Sequence, residues 1–410
     1  MNIQRYDAMK NRISALVMAL TMLFASACTA IDDEPPYTVI SKGTTVPVPS
    51  ASSAPSDDAP EEKLIIPDNM ETRYFSLSYN VRMQNVYDSV VDTITNFSDN
   101  ALLPLTISRQ SYTQVLETVH CEQLAFFFLD TRTLGEFNSA AQTFEINFRY
   151  KYSVEEVNRM LAETEQKALE ITEQTRDFVS DYDKAKYFHD YLVTHVESAE
   201  DYELADSVYG TLIGGKALCE GYAKTFSYLC NIVGIENMLV TGYTDIDHMW
   251  NMVKLDGKWY HVDIGWDQPA AAIKNSYPDM VLYRYFLTDD DTILQTRTIS
   301  NSMGVPPKAE SRDMNYFVKH GLTADTYEEA LEIIEKSCRL AMDSGEAYFS
   351  IELSDDELYR QTIEELMEKD ADGVSDIDRL MNTLNFRGNI SYIDYYADTR
   401  ILIFILDTGA

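Results

Sequence analysis

A chain of 410 residues is long enough for two or three modest domains, each able to bury its own core. Hydrophobic residues at 45% and charged residues at 24% are ordinary for a soluble globular protein. The 67 Asp and Glu against 33 Lys and Arg leave a net charge of −34, a field that repels phosphate backbones and argues against nucleic acid as a partner.

The cysteines are Cys28, Cys121, Cys219, Cys230 and Cys338, too few and too scattered for a disulfide-stapled scaffold in a chain of this size. No CxxC pair occurs, so no structural zinc is expected, and nothing else in the pattern calls for a metal or a cofactor.

Near the N-terminus, Lys10 and Arg12 precede an apolar run from Ile13 to Phe24, and Ala25, Ser26, Ala27 and Cys28 follow. A basic flank, a short apolar core and small residues at the cut make a secretory signal, and the run is too short to span a bilayer. Small residues directly before a cysteine resemble the lipobox of bacterial lipoproteins. On that reading Cys28 becomes the lipidated first residue of an exported chain anchored to the outer face of the cell membrane. Ala25 departs from the Leu more usual there. Removing residues 1–28 takes away three basic residues and one acidic, so the acidity belongs to the exported part.

Seven of the twelve prolines lie between Pro35 and Pro67, mixed with Ser, Thr, Ala and Asp. Such a stretch cannot pack a core and reads as a disordered tether over 29–67. Its reach is roughly 35 Å as a coil and up to ~120 Å in polyproline II.

After the tether the pattern reads β-α-α-β-β over 68–153. "RYFSLSYN" is expected as a strand, helices are expected near 84–97 and 109–120, and "AFFFLD" and "TFEINFRY" are expected as strands. Residues 154–178 carry Val154, Val157, Leu161, Ala168, Ile171 and Phe178 near helical spacing, with Ser153 and Glu156 as a capping box. "DYDKAKYFHDYLVTHV" is a second helix. The C-terminal region 301–410 repeats the order: "AYFSIEL" as a strand, helices at 354–368 and 374–384, then a hairpin. "RYFSLSYN" and "AYFSIELS" look alike, which suggests two copies of one small α+β module flanking residues 154–300.

The chemistry lies in 206–268. Gly214 and Gly215 mark a turn, and Cys219, Tyr222, Phe226, Leu229 and Val233 then follow helical spacing to a stop at Gly234. Cys219 therefore sits in the first turn, where unpaired N–H groups favour an anion. That stabilisation, roughly 0.3–1 kcal/mol, moves a thiol by less than one pH unit, so a cationic partner is needed as well. Strands "MLVTGY", "HMWNMVKL" and "KWYHVDIGW" follow, the last two joined by an Asp256-Gly257 turn. His248 on one strand and Asp263 on the next can meet across the sheet. By alternation His261 shares a face with Asp263 and is a rival base.

Cys-Glu-Gly-Tyr-Ala opening a helix, His-Met-Trp-Asn on a strand and Trp-Tyr-His-Val-Asp on the next resemble the transglutaminase-like superfamily, over about 80 residues from Tyr209 to Asp289. "YRYFLTDDDT" and "NYFVKHGLTADTYEEA" resemble segments that follow this core in bacterial and extracellular members. The resemblance implies an α+β fold with a papain-type core: a helix bearing the cysteine packed on an antiparallel sheet bearing His and Asp. It further implies Cys219 as nucleophile, His248 as base and acid, and Asp263 as the group that orients it. The Cys219 N–H and a side-chain donor, for which Tyr209 is the candidate, would form an oxyanion hole. Cys121, Cys230 and Cys338 read as core thiols, and His189 and His195 fit a helix better than a site.

Three functions stay open at this point. The first is a cysteine protease or amidase acting on surface or cell-wall peptides. The second is a transglutaminase that crosslinks proteins. The third is a binding or assembly protein with a triad-like core. Expected partners are a peptide or protein substrate and, through Cys28, the membrane; the oligomeric state is left open.

Overall fold

The structure, a computed structural model, describes residues 63–130, 134–199, 202–393 and 399–407. The signal segment, Cys28 and nearly all of the tether lie outside the described residues. The chain divides into two compact units. One takes residues 63–66, Tyr79–Val119 and Phe128–Leu161; the other takes Pro67–Ser78, His120–Phe127 and the chain from Ala162 onward. No helix among the described residues is long and apolar enough to cross a membrane.

In the first unit, Asn80 caps helix α1 (Val81–Thr95), its side chain accepting from the N–H groups of Arg82 and Met83. Met83, Val86, Tyr87, Val90 and Ile94 form the buried stripe of that helix. Strand β1 (Asn100–Pro104), helix α2 (Arg109–Glu122) as far as Val119, and the hairpin β2 (Leu134–Asn138) and β3 (Thr143–Asn147) complete it, in sheet order β1-β3-β2. Phe144 on the buried face stacks on Phe137, with ring centroids 4.3 Å apart.

Two expected strands are absent. "RYFSLSYN" forms a short 3-10 turn at Ser76–Ser78 because its backbone has another acceptor: the N–H groups of Tyr74 and Ser76 donate to Glu122 Oε1 at 2.9 and 3.1 Å. "AFFFLD" is likewise a 3-10 turn at Phe126–Phe128. An unbroken apolar run has no period to distinguish a strand from a buried turn. The proposed equivalence of "RYFSLSYN" with "AYFSIELS" therefore fails.

Helix α3 (Val154–Glu173) opens with its capping box: Ser153 N donates to Glu156 Oε2 at 2.9 Å and Glu156 N to Ser153 Oγ at 3.3 Å. It stops short of the expected 178, where the hydroxyls of Thr172 and Thr175 donate to carbonyls one turn back. Helix α4 (Asp181–His195) follows, then the two-residue parallel pair β4 (Glu197–Ser198) and β5 (Lys216–Ala217), with α5 (Val208–Leu212) between them.

Helix α6 (Cys219–Ile232) packs on the central sheet of the second unit. Its strands are β6 (Asn237–Tyr243), β7 (Asp247–Leu255), β8 (Lys258–Val262), β9 (Phe286–Thr288) and β10 (Thr298–Ile299), in the antiparallel order β10-β6-β7-β8-β9. Gly234 at φ 78° ends the helix, and Asp256 and Gly257 turn the β7–β8 hairpin with φ of 49° and 81°. Short helices α7 (Ala271–Ser276), α8 (Asp290–Ile293) and α9 (Tyr316–His320) lie in the connections.

From Tyr348 onward the C-terminal region matches expectation, and the strand and helix just before it lie outside the expected elements. Strand β11 (Thr323–Ala324) and helix α10 (Tyr327–Ser344) lead into β12 (Tyr348–Leu353), α11 (Asp356–Met367), α12 (Asp376–Thr383) and the hairpin β13 (Asn389–Ile393) and β14 (Ile401–Asp407). The sheet order is β11-β12-β14-β13. In both small sheets the last strand pairs between the two before it, so they share topology although the matched segments do not correspond.

Candidate active site

Two residues, Leu218 and Gly221, place Cys219 at the head of α6. Leu218 is the cap residue and offers no side-chain bond to the first turn. Its own N–H donates to Ala205 O at 2.7 Å, which ties the helix entry to the 202–207 loop. Gly221 lets the helix lie against that loop: a Cβ there would come within 2.1 Å of Ala205 O and 2.8 Å of Thr211 Oγ1. Among the cysteines of the described residues Cys219 alone is partly exposed, while Cys121, Cys230 and Cys338 are buried.

The middle of α6 is held to β7 by Asn251, whose Nδ2 donates to Ala223 O at 2.9 Å and to Ser227 Oγ at 3.0 Å. His248, three residues earlier on the same strand, is nearly buried. Its Nε2 donates to Asp263 Oδ2 at 2.7 Å, leaving Nδ1 as the ring nitrogen available to a thiol. Burial opposes protonation of the ring, but the Asp263 carboxylate, with a smaller share from the neighbouring Cys219, pushes His248 up to about 9. The protonated ring is therefore the favoured form near neutral pH.

Asp263 lies past the end of β8, after an irregularity between His261 and Val262. The extra residue there is Leu287 of β9, at φ 56°, and Asp263 N still donates to Tyr285 O at 3.2 Å, so Asp263 continues the line of β8 into the turn. The turn it starts comes over the head of α6: a Cβ built on Gly265 would lie 3.6 Å from Asp263 Oδ1 and 3.9 Å from Cys219 Cα. Asp263 Oδ1 accepts the N–H of Trp266 at 3.2 Å. Oδ2 accepts from Arg297 as well as from His248, with Nε at 3.0 Å and Nη2 at 2.6 Å. Burial works against the charge, but His248 and Arg297 hold this carboxyl well below the usual carboxylate range.

His261 has other partners. Its Nδ1 accepts from Trp250 Nε1 at 3.0 Å, which leaves Nε2 to donate to Asp290 Oδ1 at 3.0 Å. Burial lowers its affinity for a proton, and Asp290 only partly offsets this. Of the two candidate bases, His248 is the one paired with Asp263. Tyr209, on α5, donates from its hydroxyl to Glu163 Oε2 at 3.2 Å and stacks on Phe127. His189 and His195 both lie on α4; His189 is fully buried between Asp190 and Asp267, 3.0 Å from each.

Residues 168–264 match the family model of the transglutaminase-like superfamily, a span that holds Cys219, His248 and Asp263. The chain carries a transglutaminase-like core. A kyphoscoliosis peptidase of Homo sapiens is 32% identical over 87 residues, covering 18% of this chain and 13% of its own length. The chain thus spans only a small part of the curated relatives it matches. Among solved structures, a TGase is similar over 38% of this chain and 50% of its own, at 17% identity and a TM-score of 0.24. A candidate cysteine protease from Cytophaga hutchinsonii covers 33% and 61%, at 11% identity and a TM-score of 0.23.

Beyond the matched span, Arg297 has no signal in the sequence. It lies 34 residues beyond Asp263, outside every quoted motif, and a lone arginine in "QTRTIS" carries no local signal. Trp266 was also passed over. It is partly exposed, edge-on to His248 at 6.1 Å and beneath the Arg297 guanidinium at 4.5 Å.

Proposed function

We propose that the chain is an exported thiol enzyme that cleaves amide or peptide bonds through Cys219, His248 and Asp263, as a cysteine peptidase or amidase on surface or cell-wall peptides. The observation that carries this reading is the 2.7 Å bond from His248 Nε2 to Asp263, which leaves Nδ1 facing a partly exposed cysteine at a helix head.

In this mechanism the Cys219 thiolate attacks the carbonyl carbon, and the oxyanion forms beside the Cys219 N–H at the head of α6. Tyr209 is the second donor if it exchanges Glu163 for the oxyanion. The C–N bond breaks as His248 Nδ1 gives its proton to the leaving amine, and a thioester remains. Water then attacks the thioester while His248 takes its proton; the acid leaves and the thiol is restored. Asp263 keeps the imidazole ring in register throughout. The matched curated relatives are named peptidases, which favours water over an amine as the acceptor. Residues 13–28 support export and lipid anchoring at Cys28, with the Pro/Ser-rich stretch as tether.

The test is labelling by iodoacetamide across pH 4–9, with adducts mapped by mass spectrometry, in wild type and His248→Ala. Rapid labelling of Cys219 below pH 7 that is lost in the variant supports an activated nucleophile, since a free thiol at ~8.5 is mostly protonated there. Labelling at the rate of an ordinary thiol in both proteins overturns the reading.

A further inference from the structure

The Asp263 carboxylate serves two cations through one oxygen. His248 Nε2 and the Arg297 pair Nε and Nη2 all converge on Oδ2, while Oδ1 takes only the Trp266 N–H. The Arg297 guanidinium therefore lies within two short hydrogen bonds of the imidazole. Its side chain is fully buried and sits over the rings of Tyr285 at 4.0 Å and Trp266 at 4.5 Å, and Nη1 donates to Thr296 Oγ1 at 2.6 Å. Such packing fixes a charge that solvent cannot screen.

The other titratable and charged groups around His248 are few. Cys219 faces it from α6 and Asp263 from the turn after β8. Tyr285 faces Arg297. His261 on β8 is bonded to Asp290 and Trp250, and so is committed to its neutral form. Arg284, also buried, packs on Tyr285 at 5.1 Å and donates to Trp266 O at 3.1 Å, so Arg297 is the fixed positive charge that bonds Asp263 itself.

We propose that Arg297 is a positioning residue that sets the pH range of the His248 imidazole. It holds Asp263 by a forked contact and repels the proton that Asp263 attracts. The proposal rests on the thiol-enzyme reading above, because that reading gives the His248 protonation state its use. A histidine paired with an unshared buried carboxylate would hold its proton too tightly to return it to a leaving amine at neutral pH. Sharing the carboxylate with a permanent cation moves the ring back toward the pH at which it can both give and take a proton.

The sign of the effect separates this role from a structural one. Loss of the Arg297 charge with Asp263 still in place removes repulsion, so the His248 midpoint rises by about one pH unit. If Arg297 only braces Asp263, its loss lets the carboxylate drift, and the midpoint falls toward that of an ordinary histidine.

The experiment is imidazole NMR titration of the full chain in wild type, Arg297→Gln and Arg297→Lys, with the His248 signal assigned from His248→Gln. Glutamine keeps one donor toward Asp263 without the charge, whereas lysine keeps the charge without the fork. The expected result is an upward shift in Arg297→Gln and a midpoint close to wild type in Arg297→Lys. An unchanged or lowered midpoint in Arg297→Gln overturns the proposal. If Arg297→Gln does not fold, Asp263→Asn, which strands the Arg297 charge, is compared with Asp263→Asn/Arg297→Gln, in which neither buried charge remains. The double variant must then have the higher His248 midpoint, and equal midpoints overturn the proposal. The iodoacetamide profile of the wild type reads the underlying function separately. Slow Cys219 labelling there sinks the thiol-enzyme reading, whereas fast labelling with an unshifted Arg297→Gln midpoint sinks only the role of Arg297.

Discussion

Trp250 Nε1 donates to His261 Nδ1 at 3.0 Å, and this bond distinguishes the two histidines near Asp263. A ring nitrogen that accepts from an indole cannot also accept a proton from a thiol. His261→Ala is therefore expected to keep the rapid, low-pH labelling of Cys219 within about threefold of wild type. It should instead lose stability, by about 1–3 kcal/mol, through the stranded indole N–H. Denaturant unfolding and iodoacetamide kinetics on the same variant check both halves; loss of low-pH labelling would return His261 to the site.

Asp263→Asn breaks a buried pair from one side. The variant leaves Arg297 charged and unpaired in a site where both side chains are nearly inaccessible, at 0% and 1%. A stranded buried charge costs about 3–5 kcal/mol, so unfolding midpoints should fall sharply. Amide-bond cleavage should fall by about 10² or more in kcat/KM, because the imidazole loses its orienting acceptor. A variant as stable as wild type would contradict the pairing of Asp263 with Arg297.

The His248–Asp263 pair also makes stability depend on pH. His248 rises from its ordinary value to about 9 in the folded protein, with burial opposing the shift and Asp263 outweighing it. Its contribution, up to about 3 kcal/mol, is complete below the unfolded value of ~6.5 and is lost as pH rises through about 9. Urea unfolding of wild type minus His248→Gln, measured from pH 6 to 10, should show that decline; a flat difference would contradict it.

Gly221→Ala tests the close approach that seats the Cys219 helix. The added methyl meets the Ala205 carbonyl oxygen at 2.1 Å, and that oxygen already accepts from Leu218. Backbone on both sides leaves little room to relax, so a loss of about 1–3 kcal/mol is expected, together with slower Cys219 labelling. Thermal unfolding and labelling rates on the one variant measure the two effects.

Several features of this protein were legible because they are local. The 3.6-residue spacing from Cys219 to Val233, the Asp256-Gly257 turn, the Ser153–Glu156 capping box and the β-α-α-β-β order from Tyr348 to Asp407 each rest on short-range patterns. The chain order Cys219, His248, Asp263 is local to three motifs in the same way. What the sequence did not mark was the end of β8: the strand stops at Val262, and the turn that opens at Asp263 brings its carboxylate to His248.

The residues by themselves determined the Cys219 helix, three of the five strands of its sheet and the side chains that could do chemistry there, because hydrophobic period, caps and turns act over a few residues. Tertiary structure alone decided which histidine Asp263 holds, that Arg297 shares the same carboxylate oxygen, and that "RYFSLSYN" turns its N–H groups to Glu122 instead of to a strand. In each case a buried polar group had to find a partner, and the partner lay 15, 34 or more than 40 residues away, where no periodicity in the sequence can point.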